Sequence, residues 1–202
     1  MKTYKKLVIA GCLMAGAFQS ANAIPTFDYM ATQANLAGGN ININSFNHTA
    51  ITDDALWNKM LGAKVKFKAE ISGYNNAMGY ANSDGSGATV ILNEGDTGWH
   101  TLDNAPDPFT FFLDTNQGNQ WFSDTSLNDD GQDHLLAFQK KDGSDQYILF
   151  WDDQFGGGDR DFNDFVARVS FVSPASVSEP GSLALLGLGL AGIGFSRRQK
   201  KA

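Results

Sequence analysis

The densest chemistry in this 202-residue chain is one run, Trp151-Asp152-Asp153-Gln154-Phe155-Gly156-Gly157-Gly158-Asp159-Arg160-Asp161-Phe162-Asn163-Asp164. Five aspartates fall within 13 residues, and Arg160 is the one cation among them. Carboxylates so crowded repel one another, and a divalent ion would cancel the repulsion. The three glycines permit unusual backbone angles and close approach, and oxygen-bearing side chains follow at the alternate positions 159, 161 and 163. Calcium takes about 6–8 hard oxygen ligands in irregular geometry, so Asp152, Asp153, Asp159, Asp161, Asn163 and Asp164 are candidate ligands for Ca2+. A second loop, Asn128-Asp129-Asp130-Gly131-Gln132-Asp133-His134, offers Asp130 and Asp133 from a neighbouring turn. The competing reading needs no ion. These side chains would cap backbone N–H groups in Asx-turns, with Asp161 or Asp164 paired to Arg160 or Arg168.

The run begins as an EF-hand loop would and then departs from one: Asp164 stands where that loop needs Gly, and Ser170 where it needs its bidentate Glu. Catalytic signals are weaker still. His48, His100 and His134 show no H-E-x-x-H spacing, and neither a nucleophile elbow nor a phosphate loop is present. Glycoside hydrolysis needs two carboxyl groups, and between residues 24 and 178 the glutamates are only Glu70 and Glu94. The expectation is a protein that is not an enzyme, with a secreted glycoside hydrolase as the third reading. Trp57, Trp99, Trp121 and Trp151 raise another class. Most should be core, but Trp99 and Trp121 sit in turn-rich surroundings where they could stack on sugar rings. A carbohydrate-binding module of an exopolysaccharide matrix is therefore the alternative.

Strands must position these loops. Lys64-Val65-Lys66-Phe67-Lys68-Ala69-Glu70-Ile71 alternates, which predicts Val65, Phe67, Ala69 and Ile71 on one face and charges on the other. Further β-like runs cover residues 88–92, 109–113, 134–139, 146–151 and 165–172, separated by Gly-, Asn- and Asp-rich turn sequences. Residues 53–61, opening after Thr52 as an N-cap, read as one short helix. The expected architecture is all-β, an antiparallel β-sandwich with a jelly-roll as one form of it. Apolar residues at 42% exclude a disordered chain. The net charge of −7 argues against nucleic acid as the natural partner.

That charge is unevenly spread. Residues 24–178 hold eight Lys and Arg against 21 Asp and Glu. At the N-terminus, Lys2, Lys5 and Lys6 precede an apolar run at 7–18 and then Ala21-Asn22-Ala23, the order of a secretory signal peptide cut after Ala23. Lipoprotein processing at Cys12 would leave an apolar run of only residues 7–11. With cleavage at Ala23 the sole cysteine departs, so the mature chain has no disulfide. At the C-terminus, residues 180–196 carry no charge, and Arg197, Arg198, Lys200 and Lys201 follow. That pattern predicts a short transmembrane helix in the inner membrane with its basic end in the cytoplasm.

The tail Val177-Ser178-Glu179-Pro180-Gly181-Ser182-Leu183-Ala184-Leu185-Leu186-Gly187-Leu188, closed by Arg197-Arg198, resembles the bacterial PEP-CTERM sorting signal. Glu179 and Pro180 match its short motif, while Ser178 stands where the family name implies Pro. The resemblance implies recognition by an exosortase, a membrane-embedded transpeptidase, with release or transfer to the surface of a Gram-negative bacterium that makes exopolysaccharide. A second resemblance rests on Asp133-His134-Leu135-Leu136-Ala137-Phe138, on Tyr147-Ile148-Leu149-Phe150-Trp151-Asp152-Asp153 and on Gly157-Gly158-Asp159-Arg160-Asp161-Phe162-Asn163-Asp164. Over about residues 85–172 the chain looks like a bacterial domain of unknown function found in secreted and adhesin-like proteins, which implies a compact, calcium-associated β domain with no assigned activity. The expected organisation is a signal peptide at 1–23, an ectodomain at 24–172, a linker and sorting motif at 173–179, a transmembrane helix at 180–196 and a basic tail at 197–202. The expected role is that of a structural or adhesive component of the extracellular biofilm matrix.

Overall fold

The computed structural model describes residues 24–51 and 56–175. The signal peptide with its cleavage site at Ala23, the motif residues Glu179 and Pro180, the apolar segment 180–196 and Arg197 and Arg198 lie outside the described residues. Among those described, no helix is long and apolar enough to cross a membrane.

Among the described residues one α-helix, α1 (Phe27–Leu36), comes first, with the Thr26 side chain accepting from the Tyr29 N–H as its N-cap. Nine strands follow within the described residues: β1 (Trp57–Glu70), β2 (Ala77–Asn82), β3 (Thr89–Asn93), β4 (His100–Thr101), β5 (Phe109–Asp114), β6 (Gln120–Phe122), β7 (Leu135–Gln139), β8 (Gln146–Trp151) and β9 (Phe165–Pro174). Every pairing is antiparallel, as expected, and the main order is β3-β2-β5-β1-β9-β8-β7, with β4 added to β1 and β6 to β5.

The strands form one hydrogen-bonded sheet whose two halves share a core. Met78, Phe111 and Leu113 from one half pack in the same cluster as Leu135, Leu149 and Ala167 from the other. Trp57 spans the layers, its ring 5.4 Å from Phe111 and 5.3 Å from Tyr147. The period of two makes strands β7 to β9 apolar on both faces. Leu135, Ala137, Leu149 and Ala167 point to the main core, while Leu136, Phe138, Ile148, Phe150 and Val166 pack against Phe27, Met30, Ala31 and Ala34 of α1.

Three local expectations are corrected. Trp57 to Leu61 are strand, not helix, because the fully buried Trp57 pairs with both Phe109 and Pro174 and tertiary packing overrides the local N-cap signal; residues 52–55 lie outside the described residues. The alternation over 64–71 is interrupted by a bulge between Phe67 and Ala69. Val65 therefore faces the main core, Ala69 the α1 cluster, and Ile71 is 40% exposed. Strand β9 runs on to Pro174, two residues into the expected linker.

Candidate functional site

The register gathers the acidic loops at one end of the sheet. Glu70, Phe165, Trp151 and Leu135 are successive partners there, and Ala77, Asn93 and Asp114 end the other half. The loops that follow carry the candidate ligands. Of these, Asp152, Asp153, Asn163 and Asp164 are buried, Asp130, Asp133 and Asp161 are half-buried, and Asp159 is exposed.

Much of this acid does structural work of the kind the ion-free reading expects. One carboxylate oxygen of each of Asp130, Asp133, Asp152 and Asp161 accepts from the N–H two residues on, at 2.9, 3.0, 3.1 and 3.2 Å. Asp164 Oδ2 accepts from the Asp153 N–H at 2.9 Å. Asp153 Oδ2 accepts from Asn76 Nδ2 at 2.8 Å and from the Ser72 hydroxyl. Asp130 Oδ2 accepts from the Gly156 N–H at 2.7 Å and lies 3.0 Å from His134 Nε2. That one oxygen ties the two acidic loops together. The arginines go elsewhere than expected: Arg160 donates to Gln132 Oε1, and Arg168 to Gln146 Oε1.

The Gly-rich segment between them needs its glycines. Gly156 has φ of 74° and Gly158 of 39°, and a Cβ on Gly158 would lie 2.8 Å from Gln154 Cδ. Phe162 then inserts beneath α1 with Phe27 and Phe150, which pins the end of the loop.

Burial sets the electrostatics. It pushes Asp152 up to about 6, with the Asp159 and Asp153 charges adding to the rise. It pushes Asp164 up to about 8, where Asp153, Asp152 and Asp161 contribute in turn. Asp161 is raised by burial and by Asp159 and Asp153. At Asp130 burial works in the same direction but is outweighed. The N–H groups of Gln132 and Gly156, with His134, hold that carboxyl below the usual range. Asp152 Oδ2 is buried without a hydrogen-bond partner. An orphaned anionic oxygen among four other carboxylates fits a cation, although among the described residues no three His, Asp or Glu side chains already converge to hold a metal ion.

Sequence reasoning missed several members of this end. Ser72 and Asn76 fix Asp153, and His134 joins the loops. Glu70, expected on an outward face, has a buried Oε2 with no partner. Burial pushes Glu70 up to about 8, and the nearby Glu94 charge adds to the rise. Their signal was present, since they are the two glutamates between residues 24 and 178, but only the fold brings them together. A cavity of about 440 Å³ beside them is lined by Asn76, Glu94, Asp114 and Asn116. Of the two proposed sugar platforms, Trp121 is 1% exposed, stacks on His134 and donates to the Asp153 carbonyl at 2.8 Å, so it is core. Trp99 is 40% exposed.

The stretch just beyond β9 decides where the protein is handled. Residues 176–198 match the PEP-CTERM protein-sorting motif. This is an exported protein carrying a tail recognised by exosortase at the membrane. Residues 83–172, from the end of β2 through most of β9, match a domain of unknown function (DUF4114). No curated protein and no solved structure matches the chain.

Proposed function

We propose that this is a surface-associated structural or adhesive domain whose acidic end takes up a divalent cation, calcium by preference. The observation that carries the cation is Asp152: its carboxylate is 0% exposed, and Oδ2 has no donor. A cation there would be met by that oxygen and by oxygens of the crowded Asp159–Asp164 segment, with amide and main-chain oxygens completing the shell. Engagement of Asp130, Asp152, Asp161 and Asp164 with backbone N–H groups, and of Asp153 with the Asn76 side-chain amide and the Ser72 hydroxyl, favours a positional use of these acids over a catalytic one. The sorting motif directly after β9 supports display at the cell surface or in its matrix after processing.

Two measurements test the reading. Thermal unfolding of the full chain in EGTA and in calcium should differ; at calcium about 100 times its Kd the gain is about 2.7 kcal/mol, or roughly 5–10 °C. An unchanged transition removes the cation. Mass spectrometry of the surface form should find an N-terminus at Ile24 and a C-terminus before the apolar tail.

A further inference from the structure

The acidic chain carries one cationic face. Lys64, Lys66 and Lys68 project from β1, and Arg168 sits directly opposite Lys66 on β9. Cross-strand partners point to the same face, and like charges so placed destabilise a sheet. Lys68 lies in the bulge, and burial holds its amine below the usual range, with the Lys66 and Arg168 charges next in effect. Among the described residues none of the four has a carboxylate within 4.0 Å, although acids outnumber bases in the ectodomain by 21 to eight. Instead Lys68 donates to the Asn40 carbonyl and Arg168 to Gln146, while Arg168 Nε is buried without a partner.

Protection of a sheet edge accounts for part of this charge, since among the described residues no strand pairs with β1 opposite β9 at Lys66 or Lys68, but it does not account for Arg168. Lysines guard edges, but Arg168 lies between Lys66 and Ile148, and β1 has β9 on one side and β4 on the other at Lys64 and Val65. The face also has an aromatic wall. Lys64 Nζ is 4.9 Å and Arg168 Cζ 5.8 Å from the Trp99 ring centre, and Trp99 remains 40% exposed. Beside the stripe a cavity of about 120 Å³ opens between Lys68, Lys140, Arg168 and the Asn40–Asn42 turn.

We propose that the face of Lys64, Lys66, Lys68 and Arg168, with Trp99 at its side, binds an anionic polysaccharide bearing uronate carboxylates. Lys64 and Lys66, same-face neighbours on β1 ahead of the bulge, stand ~6.6–6.8 Å apart, and with Lys68 in the bulge and Arg168 across from Lys66 they present a cluster of cations to a polymer carrying a carboxylate on each ring. Trp99 offers the apolar surface that a sugar ring covers and a simple anion does not. The proposal deepens the adhesive reading by naming what is adhered to, and it rests on side chains outside the Asp152–Asp164 loop.

The test is affinity electrophoresis of the full chain in mild detergent through gels containing polygalacturonate, neutral dextran or double-stranded DNA, each in EGTA, with the polygalacturonate gel repeated in calcium. Polygalacturonate should retard the protein and dextran should not. Lys66→Gln/Arg168→Gln should lose at least tenfold in affinity, Lys66→Arg should retain it, and Trp99→Ala should weaken it, with unchanged melting of each variant as the folding control. Equal retardation by dextran, tighter binding to DNA, or a double variant that binds as wild type overturns the proposal. Retardation that appears only with calcium also overturns it, because it places the contact at the acidic end. A melting transition indifferent to calcium, with polygalacturonate binding intact, removes the cation while leaving this face in place.

Discussion

The imidazole of His134 lies flat on the indole of Trp121, ring centres 4.0 Å apart and planes 8° from parallel. Its Nδ1 is 2.9 Å from the Asp152 carbonyl and its Nε2 is 3.0 Å from Asp130 Oδ2. Both nitrogens face acceptors, so both contacts are hydrogen bonds only when the ring carries both protons. One fully buried side chain thus joins β6, the 128–134 loop and the Gly-rich loop.

Replacing His134 with Ala should be costly. It leaves the Asp152 carbonyl without its donor and opens space beneath Trp121, for about 2–4 kcal/mol in all. Urea unfolding would register this as a lower midpoint with little change in slope. A midpoint equal to wild type would mean that the two loops are held together by other contacts.

The raised carboxyls give the metal-free protein a definite pH profile. Asp152 and Asp164 titrate at about 6 and about 8 in the fold, against about 3.9 unfolded. Between those limits the native state binds more protons than the unfolded chain, so stability is fullest below pH 4 as far as these groups are concerned and falls as pH rises toward 8. Each group contributes a slope of up to about 1.4 kcal/mol per pH unit. In EGTA the transition temperature should be higher at pH 5 than at pH 8, and the calcium increment should be larger at pH 8. A chelated protein that melts higher at pH 8 contradicts this.

Asp152→Asn separates the charge from the shape. It removes the buried anion and keeps the side-chain volume and the oxygen that accepts from Gln154. In EGTA at pH 8 the variant should melt at or above wild type, and its calcium-dependent rise should disappear. Calorimetric titration with calcium would give the same answer directly, as a loss of binding heat.

Strand β2 carries a packing test unrelated to charge. A Cβ on Gly79 would lie 2.7 Å from Phe112 Cε1 and collide with the Thr89 carbonyl. Gly79→Ala should therefore cost about 1–3 kcal/mol through overpacking and separation of β2 from β3. Denaturant unfolding checks it, and a neutral result would mean that β3 yields.

Short apolar runs bounded by turn residues made β5, β7, β8 and β9 legible, because such runs fit strands buried on both faces. β1 was half legible: its charged stretch alternates, but its first residues read as helix, and no local rule announces the bulge at Phe67. Helix α1 left a signal in Phe27, Met30, Ala31 and Ala34, spaced to form one buried face, but the helix expected from sequence lay at residues 53–61 instead. The aspartates of the Gly-rich loop were visible by density alone. Their partners Ser72, Asn76 and His134 were not, because those contacts depend on the order in which strands lie side by side. Trp121 shows the same limit, since turn-rich surroundings in sequence turned out to be a closed pocket lined by His134 and the Asp153 carbonyl.

The placement of β9 has a mechanical consequence. The sorting tail begins at residue 176, two positions beyond the strand's last residue, so any pull from the anchorage enters β9 lengthwise. That strand is flanked by β1 on one side and β8 on the other. A load applied along it would shear both ladders together instead of peeling one open bond by bond, so any traction through the tail would meet a strand braced on both sides.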